Sequence, residues 1–438
     1  MRVNIVHPGA GELKYEIRAI IEFAHNIRDT GLEMHWENIG DPVAKGEPVP
    51  DWVRDIVSKA AGESMSYAYS PTKGLDDARE YLAKTRSEQD GTHLTPNNIS
   101  FFNGLGDAIT KTYTWLDPVA RVLGPSPAYP THSSVEGARG RSAHLTYNLD
   151  PENGWLPDMD DIRNKVKYNP SIAGLLLINP DNPTGTVYPK KVLQEFVDIA
   201  KEYDLFLIAD EIYANLAFEP KDFTSLAALA DGIPTIIMRG LSKEVPWPGS
   251  RCGWLEFYNV DKDPVFAEYI RSIEEAKMVE VCSTTLPQLV LPKILSDERY
   301  EPYLRKRSKM YQERGKKAAE YLNKVDGFRV TEPQGAFYLS VTFEDGFLDA
   351  KKSLPAANKE AQKLLDEALA DPENQAPDKQ FCYQLLAHTG VCTVPMLSGF
   401  NSHVSGLRMT LLEDDPKKFE KILKLLADAA EKYNNSAK

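Results

Sequence analysis

The residue with the clearest chemical potential is Lys243, in the run 235–253 (TIIMRGLSKEVPWPGSRCG). Apolar residues at 236–238 predict a buried strand that ends at Gly240, so the lysine falls just beyond the strand's carboxyl end. Open α/β sheets bind ligands at that edge. A lysine there can form a Schiff base with an aldehyde cofactor, and Arg251 offers a planar fork for a phosphate. Because an isolated lysine after a strand is more often a solvated surface charge, the assignment depends on further motifs.

Two other strand ends carry side chains suited to an aromatic cofactor ring. Asn182 follows the apolar run 173–178 in NPDNPTG, and its amide can donate to a ring hydroxyl oxygen. Asp210 ends the apolar run 205–209, where a buried carboxylate is costly unless a positive group such as a protonated pyridine nitrogen faces it. Tyr213 can donate to the same ring oxygen as Asn182. A protonated ring held in this way acts as an electron sink.

The segment 99–109 (ISFFNGLGDAI) predicts a short strand, a glycine turn and then a helix. Backbone N–H groups at such a turn bind anions. A dinucleotide site at Gly104 and Gly106 is disfavoured because Ile109 occupies the position of the third glycine. The turn therefore predicts a site for a single phosphate.

Taken in order, the motifs NPTG, ADEIY, SK and R-x-G resemble those of class I/II aminotransferases, members of the fold-type I superfamily of pyridoxal-phosphate enzymes. The resemblance runs from about residue 15 to residue 412. It implies an enzyme that moves an amino group between an amino acid and a 2-oxo acid by a ping-pong Schiff-base mechanism. The implied cofactor is pyridoxal 5′-phosphate, and no metal site is expected.

The resemblance also implies roles for individual residues. The catalytic group would be Lys243, Asp210 and Tyr213. The other implied cofactor contacts are Gly104, Leu105, Gly106, Tyr129, Asn182, Ser242, Arg251 and Tyr69, the last reaching the cofactor phosphate of a partner subunit in a homodimer with shared active sites. The implied substrate contacts are Gly40, Arg408 and Tyr15, although a packed core tyrosine is an equally good interpretation of the last.

Two places depart from the common family pattern. Many relatives have S-x-S-K before the lysine, whereas this chain has Gly240-Leu241-Ser242-Lys243. The phosphate turn also carries Leu105 and Gly106 where relatives often place a small residue followed by Thr, Ser or Lys. Neither departure removes a catalytic group, but both leave the phosphate contacts open.

Three segments, 14–42, 67–75 and 397–416, most resemble the bacterial alanine aminotransferases. Relatives that act on aspartate need a second cation for the side-chain carboxylate, and the corresponding positions here are Gly106 and Val279, with Lys277 close by. The expected amino donor is therefore alanine or another small or apolar amino acid. The expected acceptor is 2-oxoglutarate, bound through a cation that the sequence does not identify.

Several alternative functions use the same motifs. An aspartate or aromatic aminotransferase, or a β-eliminating C–S lyase, would need the same lysine and aspartate. A non-catalytic pyridoxal-phosphate-binding regulator is disfavoured because no helix-turn-helix segment or basic arm precedes Tyr15. Formation of pyruvate and ammonia from cystathionine without an oxo acid would identify the lyase, and failure to form any oxo acid would favour the regulator.

Composition limits the possible partners and location. The chain has 438 residues with 51 basic and 64 acidic side chains, so its net charge of −13 disfavours nucleic acid or an anionic membrane as partner. The four cysteines show no metal-ligand spacing and are interpreted as reduced thiols in or near the core. No apolar run approaches the roughly 20 residues of a membrane span, and the first residues lack a signal-peptide pattern, so we expect a cytoplasmic enzyme.

Strand-like runs alternate with helix-like segments, which predicts an α/β fold with a mostly parallel sheet covered on both faces. Seven strands are predicted, at 99–103, 121–123, 143–149, 172–178, 205–209, 235–239 and 252–257. By the family resemblance, residues 46–305 form a large cofactor-binding domain, while 1–45 and 306–438 form a smaller α+β domain. Residues 344–380 resemble an insertion, more consistent with a solvated excursion than with a functional lid.

Overall fold

The computed structural model describes residues 3, 5–13 and 16–436. The strands in chain order are β1 (His35–Trp36), β2 (Ile99–Asn103), β3 (Arg121–Ser126), β4 (Thr146–Asp150), β5 (Leu156–Pro157), β6 (Ile172–Ile178), β7 (Phe206–Asp210), β8 (Thr235–Gly240), β9 (Cys252–Tyr258), β10 (Phe328–Val330), β11 (Tyr338–Phe343), β12 (Val391–Cys392), β13 (Val394–Pro395) and β14 (Gly406–Thr410).

Helices surround these strands on both sides. In chain order they are α1 (Glu16–Asp29), α2 (Asp51–Ala61), α3 (Asp76–Asp90), α4 (Leu105–Thr114), α5 (Pro130–Gly140), α6 (Met159–Tyr168), α7 (Lys190–Glu202), α8 (Leu241–Glu244), α9 (Pro264–Glu280), α10 (Thr285–Leu295), α11 (Tyr300–Leu322), α12 (Lys359–Ala368), α13 (Pro377–Thr389), α14 (Met396–Phe400) and α15 (Pro416–Asn435). No helix in the described ranges combines the length and apolar character that crossing a bilayer requires.

The large sheet has the order β2-β9-β8-β7-β6-β3-β4-β5. Its five central strands β8, β7, β6, β3 and β4 run parallel, whereas β9 is antiparallel to both of its neighbours and β5 is antiparallel to β4. The mostly parallel α/β fold and all seven predicted strands are confirmed. The predicted count of seven is wrong by one, because the two-residue strand β5 is too short to give a periodic signal.

Most residues of the central strands are buried, as expected for strands covered on both faces. Every residue of β8 is buried, and so is every residue of β6 except Ala173. The helix α7 contributes one side of this cover, through the apolar face that the sequence predicts, and its core residues are Leu193, Phe196, Val197, Ile199 and Ala200.

Strand register brings three predicted site residues to one edge of the sheet. Ile178 at the end of β6 pairs with Asp210 at the end of β7, and Asp210 pairs with Met238 of β8. The loop after β6 carries Asn182, and the short helix α8 directly after β8 carries Lys243. The three motifs that are far apart in sequence are therefore adjacent in space.

A second, four-stranded antiparallel sheet has the order β10-β11-β14-β13, and β1 forms a separate parallel pair with β12. These elements lie outside residues 46–305, and the division into a large and a small domain stays a prediction. The predicted boundary at 305/306 falls inside the continuous helix α11, and the exact domain limits stay a prediction.

Part of the segment 344–380 packs against the rest of the protein, so the segment is not exposed to solvent along its whole length. It contains α12, and the buried side chains Ala361 and Leu365 pack in one cluster with Ile20 and Ala24 of α1. The predicted amphipathic helix is therefore confirmed, whereas the expectation of a solvated excursion is wrong for this part. The cause is the apolar face of α12, which covers α1.

We expect Leu365→Ala to lower the free energy of unfolding by about 2–4 kcal/mol, because it removes buried methyl groups between α12 and α1. Leu365 is only 3% exposed. The matched control is Lys363→Ala on the exposed face of the same helix, which should change stability by no more than about 0.5 kcal/mol. Denaturant unfolding monitored by circular dichroism measures both, and equal stability of the two variants would contradict the anchoring.

Candidate active site

A cavity of about 650 Å³ lies at the carboxyl ends of β6, β7 and β8. It is lined by eleven of the residues that the sequence singles out, namely Gly40, Leu105, Gly106, Tyr129, Asn182, Asp210, Tyr213, Ser242, Lys243, Arg251 and Arg408. The structure therefore brings together residues that span most of the chain.

Lys243 lies in the short helix α8, directly after β8, and its ammonium donates a hydrogen bond of 2.7 Å to the carbonyl oxygen of Gly40. The pKa of Lys243 is lowered from 10.5 to about 8, mainly by burial; the nearby cations Arg408 and Arg251 also lower it, whereas the carboxylates of Asp41 and Asp210 raise it. Glycine at position 40 also leaves room for Tyr338, since a Cβ there would lie 2.1 Å from its hydroxyl oxygen.

The buried carboxylate of Asp210 is held from two sides. Its Oδ1 accepts the backbone N–H of Ile212 at 3.1 Å, and its Oδ2 lies 3.1 Å from Nε2 of His132. Because a carboxylate only accepts, the imidazole hydrogen lies on Nε2, and Nδ1 can accept from the hydroxyl of Tyr113 at 3.1 Å. The chain from Tyr113 through His132 fixes the orientation of Asp210.

Further hydrogen-bonding groups line the same cavity. The hydroxyl oxygens of Tyr213 and Tyr338 are 2.9 Å apart, and burial raises the pKa of Tyr213 well above its usual value, so this phenol stays protonated. The amide of Asn182 lines the same cavity, and its buried Oδ1 has no hydrogen-bond partner among the described residues. Two phenols and an amide thus present hydrogen-bonding groups to a cavity ligand.

The guanidinium of Arg251 lies against the glycine turn before α4. Its Nη2 donates to the carbonyl oxygen of Asn103 at 3.2 Å, and a Cβ at Gly104 would lie 2.4 Å from the same nitrogen. Gly104 also has a φ of +82°, which favours glycine. The helix N-terminus beginning at Leu105 and the guanidinium together form an anion site.

Residue 240, where many relatives have the first serine of S-x-S-K, is a glycine in this chain, and the structure shows a steric reason for it. A Cβ at Gly240 would lie 2.8 Å from the carbonyl oxygen of Cys252 on the neighbouring strand. A serine at that position would therefore require a shift between β8 and β9. Ser242 remains as the hydroxyl next to Lys243 in the cavity lining.

Arg408 is only 1% exposed and is held rigidly on β14. Its Nη2 donates to the carbonyl oxygen of Asn38 at 2.5 Å. The guanidinium carbon lies 4.5 Å from the centre of the Tyr338 ring and 5.1 Å from that of Phe400. Such a flat, fixed fork suits a substrate carboxylate.

Some predicted residues do not line this cavity. Gly104 instead contacts the guanidinium of Arg251, which does line the cavity. Tyr69 lies on the surface with 83% of its area exposed. Tyr15 lies outside the described residues. Lys277 is buried, and its ammonium contacts Ser283 Oγ at 2.7 Å rather than the cavity.

Sequence reasoning missed His132, Tyr338 and Arg18. His132 sits one helical turn after Tyr129, and this i+3 spacing was the available signal. Tyr338 comes from the small antiparallel sheet, and Arg18 from α1. Within the described ranges, no group of three His, Cys, Asp or Glu side chains is placed to hold a metal ion.

Comparison with known proteins agrees with this geometry. Residues 38–414 match the family described as aminotransferase class I and II. The chain belongs to the class I and II aminotransferases. It is 48% identical over 433 residues, 99% of each chain, to an uncharacterised aminotransferase of Methanocaldococcus jannaschii. It is 30% identical to the glutamate–pyruvate aminotransferase AlaA of Escherichia coli K12, over 74% of this chain and 79% of that protein.

Among solved structures, the fold superposes on an alanine aminotransferase from Pyrococcus furiosus with a TM-score of 0.85, at 26% identity, covering 98% of this chain and 100% of that one. The protein is thus a fold-type I aminotransferase that uses pyridoxal 5′-phosphate and acts on amino acids and 2-oxo acids. The cavity fits this cofactor, because it presents a lysine amine, an anion site at a helix N-terminus and a buried carboxylate.

We expect the amine of Lys243 in the cofactor-free aminotransferase to become reactive with a midpoint near pH 8 rather than 10.5, because burial disfavours its charged form. Labelling with an amine-reactive reagent across a pH series, read by mass spectrometry, measures this midpoint. Asp41→Asn should shift it downward, because the carboxylate of Asp41 raises the pKa. The asparagine keeps an oxygen for the turn bonds to Val43 and Ala44. An ordinary lysine midpoint, or an upward shift in the variant, would contradict the assignment.

Proposed function

We propose that this aminotransferase exchanges amino groups between alanine, or another small or apolar amino acid, and 2-oxoglutarate. The observation that carries this proposal is a set of isoleucines in the cavity lining. There α1 contributes Ile17 and Ile21, and Ile39 precedes Gly40. A short methyl side chain packs against such a wall, whereas a carboxylate placed there without a partner would be costly.

The similarity to named relatives supports the same substrate class. The Escherichia coli relative is named a glutamate–pyruvate aminotransferase, and relatives from Mycobacterium, 30% identical over 75% of this chain, are named alanine aminotransferases. The aspartate-type cation is also missing at the two positions considered above, since residue 106 is glycine and Val279 is 87% exposed.

Cofactor binding is proposed to use three sets of groups. Lys243 would hold the cofactor covalently through its amine. Arg251, Ser242 and the backbone N–H groups at 104–106 would bind the phosphate. The remaining contacts to the ring would come from Asp210 at the pyridine nitrogen, Asn182 and Tyr213 at the ring oxygen, and Tyr129 against the ring face.

When bound, pyridoxal phosphate supplies a conjugated ring that accepts the electron pair released at the substrate α-carbon. Asp210, oriented by His132, would keep a proton on the ring nitrogen. The freed amine of Lys243 would move the proton at the α-carbon, and its lowered pKa supports this role because a base works best near the operating pH. Arg408 would fix the α-carboxylate so that the bond to be broken faces the ring.

A single-turnover screen without an oxo-acid acceptor tests the proposed donor. We expect alanine to release pyruvate with a specificity constant at least about tenfold above that of aspartate, a transition-state preference of about 1.4 kcal/mol. The Lys243→Ala protein serves as control and should be slower by about 10²–10⁴. A preference for aspartate would refute the proposed donor, and continuous release of pyruvate and ammonia from cystathionine would indicate a C–S lyase.

We also propose that the active unit is a homodimer in which Tyr69 reaches the partner's cofactor phosphate. An exposed apolar patch supports this proposal. Its members are Met65, Tyr67, Tyr69, Met278, Val279 and Val281. Hydrogen bonds from Ser70 Oγ to Ser283 O and from Thr285 Oγ1 to Ala68 O join the two segments of the patch. The patch borders the phosphate turn, because Thr284 donates to Asn103.

Mixed dimers test whether the sites are shared. If Tyr69 acts across the interface, a hybrid of Tyr69→Phe and Lys243→Ala chains contains one intact site and one doubly damaged site. We expect its activity to exceed the weighted sum of the two homodimers. The matched control is Tyr67→Phe, whose hydroxyl donates to Ala61 O within the same chain and whose homodimer should keep its activity. A hybrid with only the summed activity would argue against a shared site.

A further inference from the structure

The cavity is lined by one more cation than the proposed chemistry uses. Lys243, Arg251 and Arg408 have proposed roles in binding the cofactor or the α-carboxylate. The fourth cation in the lining is Arg18, in the first turn of α1. A second carboxylate is present in any substrate of the glutamate type, and its binding group is otherwise unassigned.

The geometry of α1 places Arg18 over the cavity. On one side of the helix, Ile20, Phe23, Ala24 and Ile27 are buried with the i, i+3, i+4, i+7 spacing of a core face. Ile17, Arg18 and Ile21 lie on another side and all line the cavity. Residues at i, i+1 and i+4 cluster on one helix surface, so the guanidinium borders the two isoleucines.

Two side chains of α13 bind Glu16 in the first turn of α1, which fixes the position of the backbone that carries Arg18. The carboxylate of Glu16 lies 3.1 Å from the ammonium of Lys379 and accepts a 3.1 Å hydrogen bond from the hydroxyl of Tyr383. The nearest acid in sequence is therefore already engaged. Within the described part of the chain, the guanidinium of Arg18 forms no ion pair, and its side chain is exposed at the cavity mouth.

Another carboxylate in the lining, Asp41, is committed to its own turn. Its Oδ1 accepts the backbone N–H groups of Val43 and Ala44 at 3.0 and 3.1 Å. The cavity lining thus contains a buried cation, Arg408, an exposed cation, Arg18, and the apolar side chains of Ile17 and Ile21. A ligand with carboxylates at both ends and methylene groups between them matches this set of groups.

We propose that Arg18 binds the distal carboxylate of a five-carbon dicarboxylic substrate, glutamate or 2-oxoglutarate, while Arg408 binds the α-carboxylate. This assignment rests on the proposed function and names the cation that its acceptor requires. Alanine ends at the isoleucines and does not reach the rim. The shorter side chain of aspartate leaves its carboxylate against the apolar wall, where an unpaired charge is unfavourable.

Steady-state and single-turnover kinetics of the cofactor-loaded enzyme test the assignment with Arg18→Gln. We expect kcat/KM for glutamate and for 2-oxoglutarate to fall about tenfold or more, mainly through KM, while kcat/KM for alanine changes less than about twofold. Arg18→Lys should restore part of the loss. The matched control is Arg28→Gln at the other end of α1, where the arginine pairs with Asp29 on the surface, and it should leave both substrates unchanged.

An equal loss for alanine and glutamate in Arg18→Gln would overturn the assignment, because a general disturbance of α1 affects both. Unchanged glutamate kinetics, or a wild-type enzyme that accepts alanine but neither dicarboxylate, would overturn it as well.

Calorimetry with non-reacting acids separates this inference from the proposed function. Glutarate should bind the wild-type holoenzyme more tightly than pentanoate, which has the same length and one carboxylate, and Arg18→Gln should remove the difference. If alanine proved not to be a substrate, the proposed donor would fail, yet the glutarate comparison would still decide the role of Arg18. Equal binding of glutarate to both proteins would refute that role.

Discussion

Four cationic side chains, Arg18, Lys243, Arg251 and Arg408, line one cavity. Arg408 is buried and Lys243 is largely shielded from water, which is unfavourable for their charges unless anions enter with them. The pKa of Lys243 falls to about 8, mainly through burial, and repulsion by Arg408 and Arg251 also lowers it. The acids Asp210 and Asp41 offset only part of this charge. The surrounding structure can therefore be understood as a frame that holds positive charge where the phosphate and carboxylate of the proposed ligands would neutralise it.

The positions of these cationic side chains depend on a few places where the backbone lies close to them. The segment 38–40 contacts two of the cations, since Asn38 O accepts from Arg408 and Gly40 O accepts from Lys243. At Gly104 the absence of a Cβ lets the guanidinium of Arg251 lie against the turn. These contacts link residues from the N-terminal segment, the large sheet and the small sheet around one space.

The sequence alone identifies the site residues that end or closely follow apolar runs, because a polar group at the end of a buried parallel strand differs clearly from the apolar residues before it. Asn182, Asp210 and Lys243 are of this kind, and strand order then brings them together. His132, Tyr338 and Arg18 were not found, because their positions depend on how α5, the small sheet and α1 pack against the large sheet. Such packing leaves no local pattern for Tyr338 and Arg18, and the local signal for His132 is limited to its i+3 spacing from Tyr129. Strand β5 was missed for a different reason, because two residues are too few to show the alternation of apolar and polar side chains that indicates a strand.

Because α1 packs against α12 and α13, substrate preference is structurally separate from the cofactor chemistry of the enzyme. The segments at the ends of β6, β7 and β8 carry Asn182, Asp210 and Lys243, whereas the wall proposed to face a substrate side chain belongs to α1, which packs against α12 and α13. The large sheet does not have to change for α1 to tilt or slide. Substrate range could therefore diverge through substitutions in the segment 344–380, none of whose residues lines the cavity. In such a lineage, the chemistry would be inherited intact while the preferred amino acid drifted.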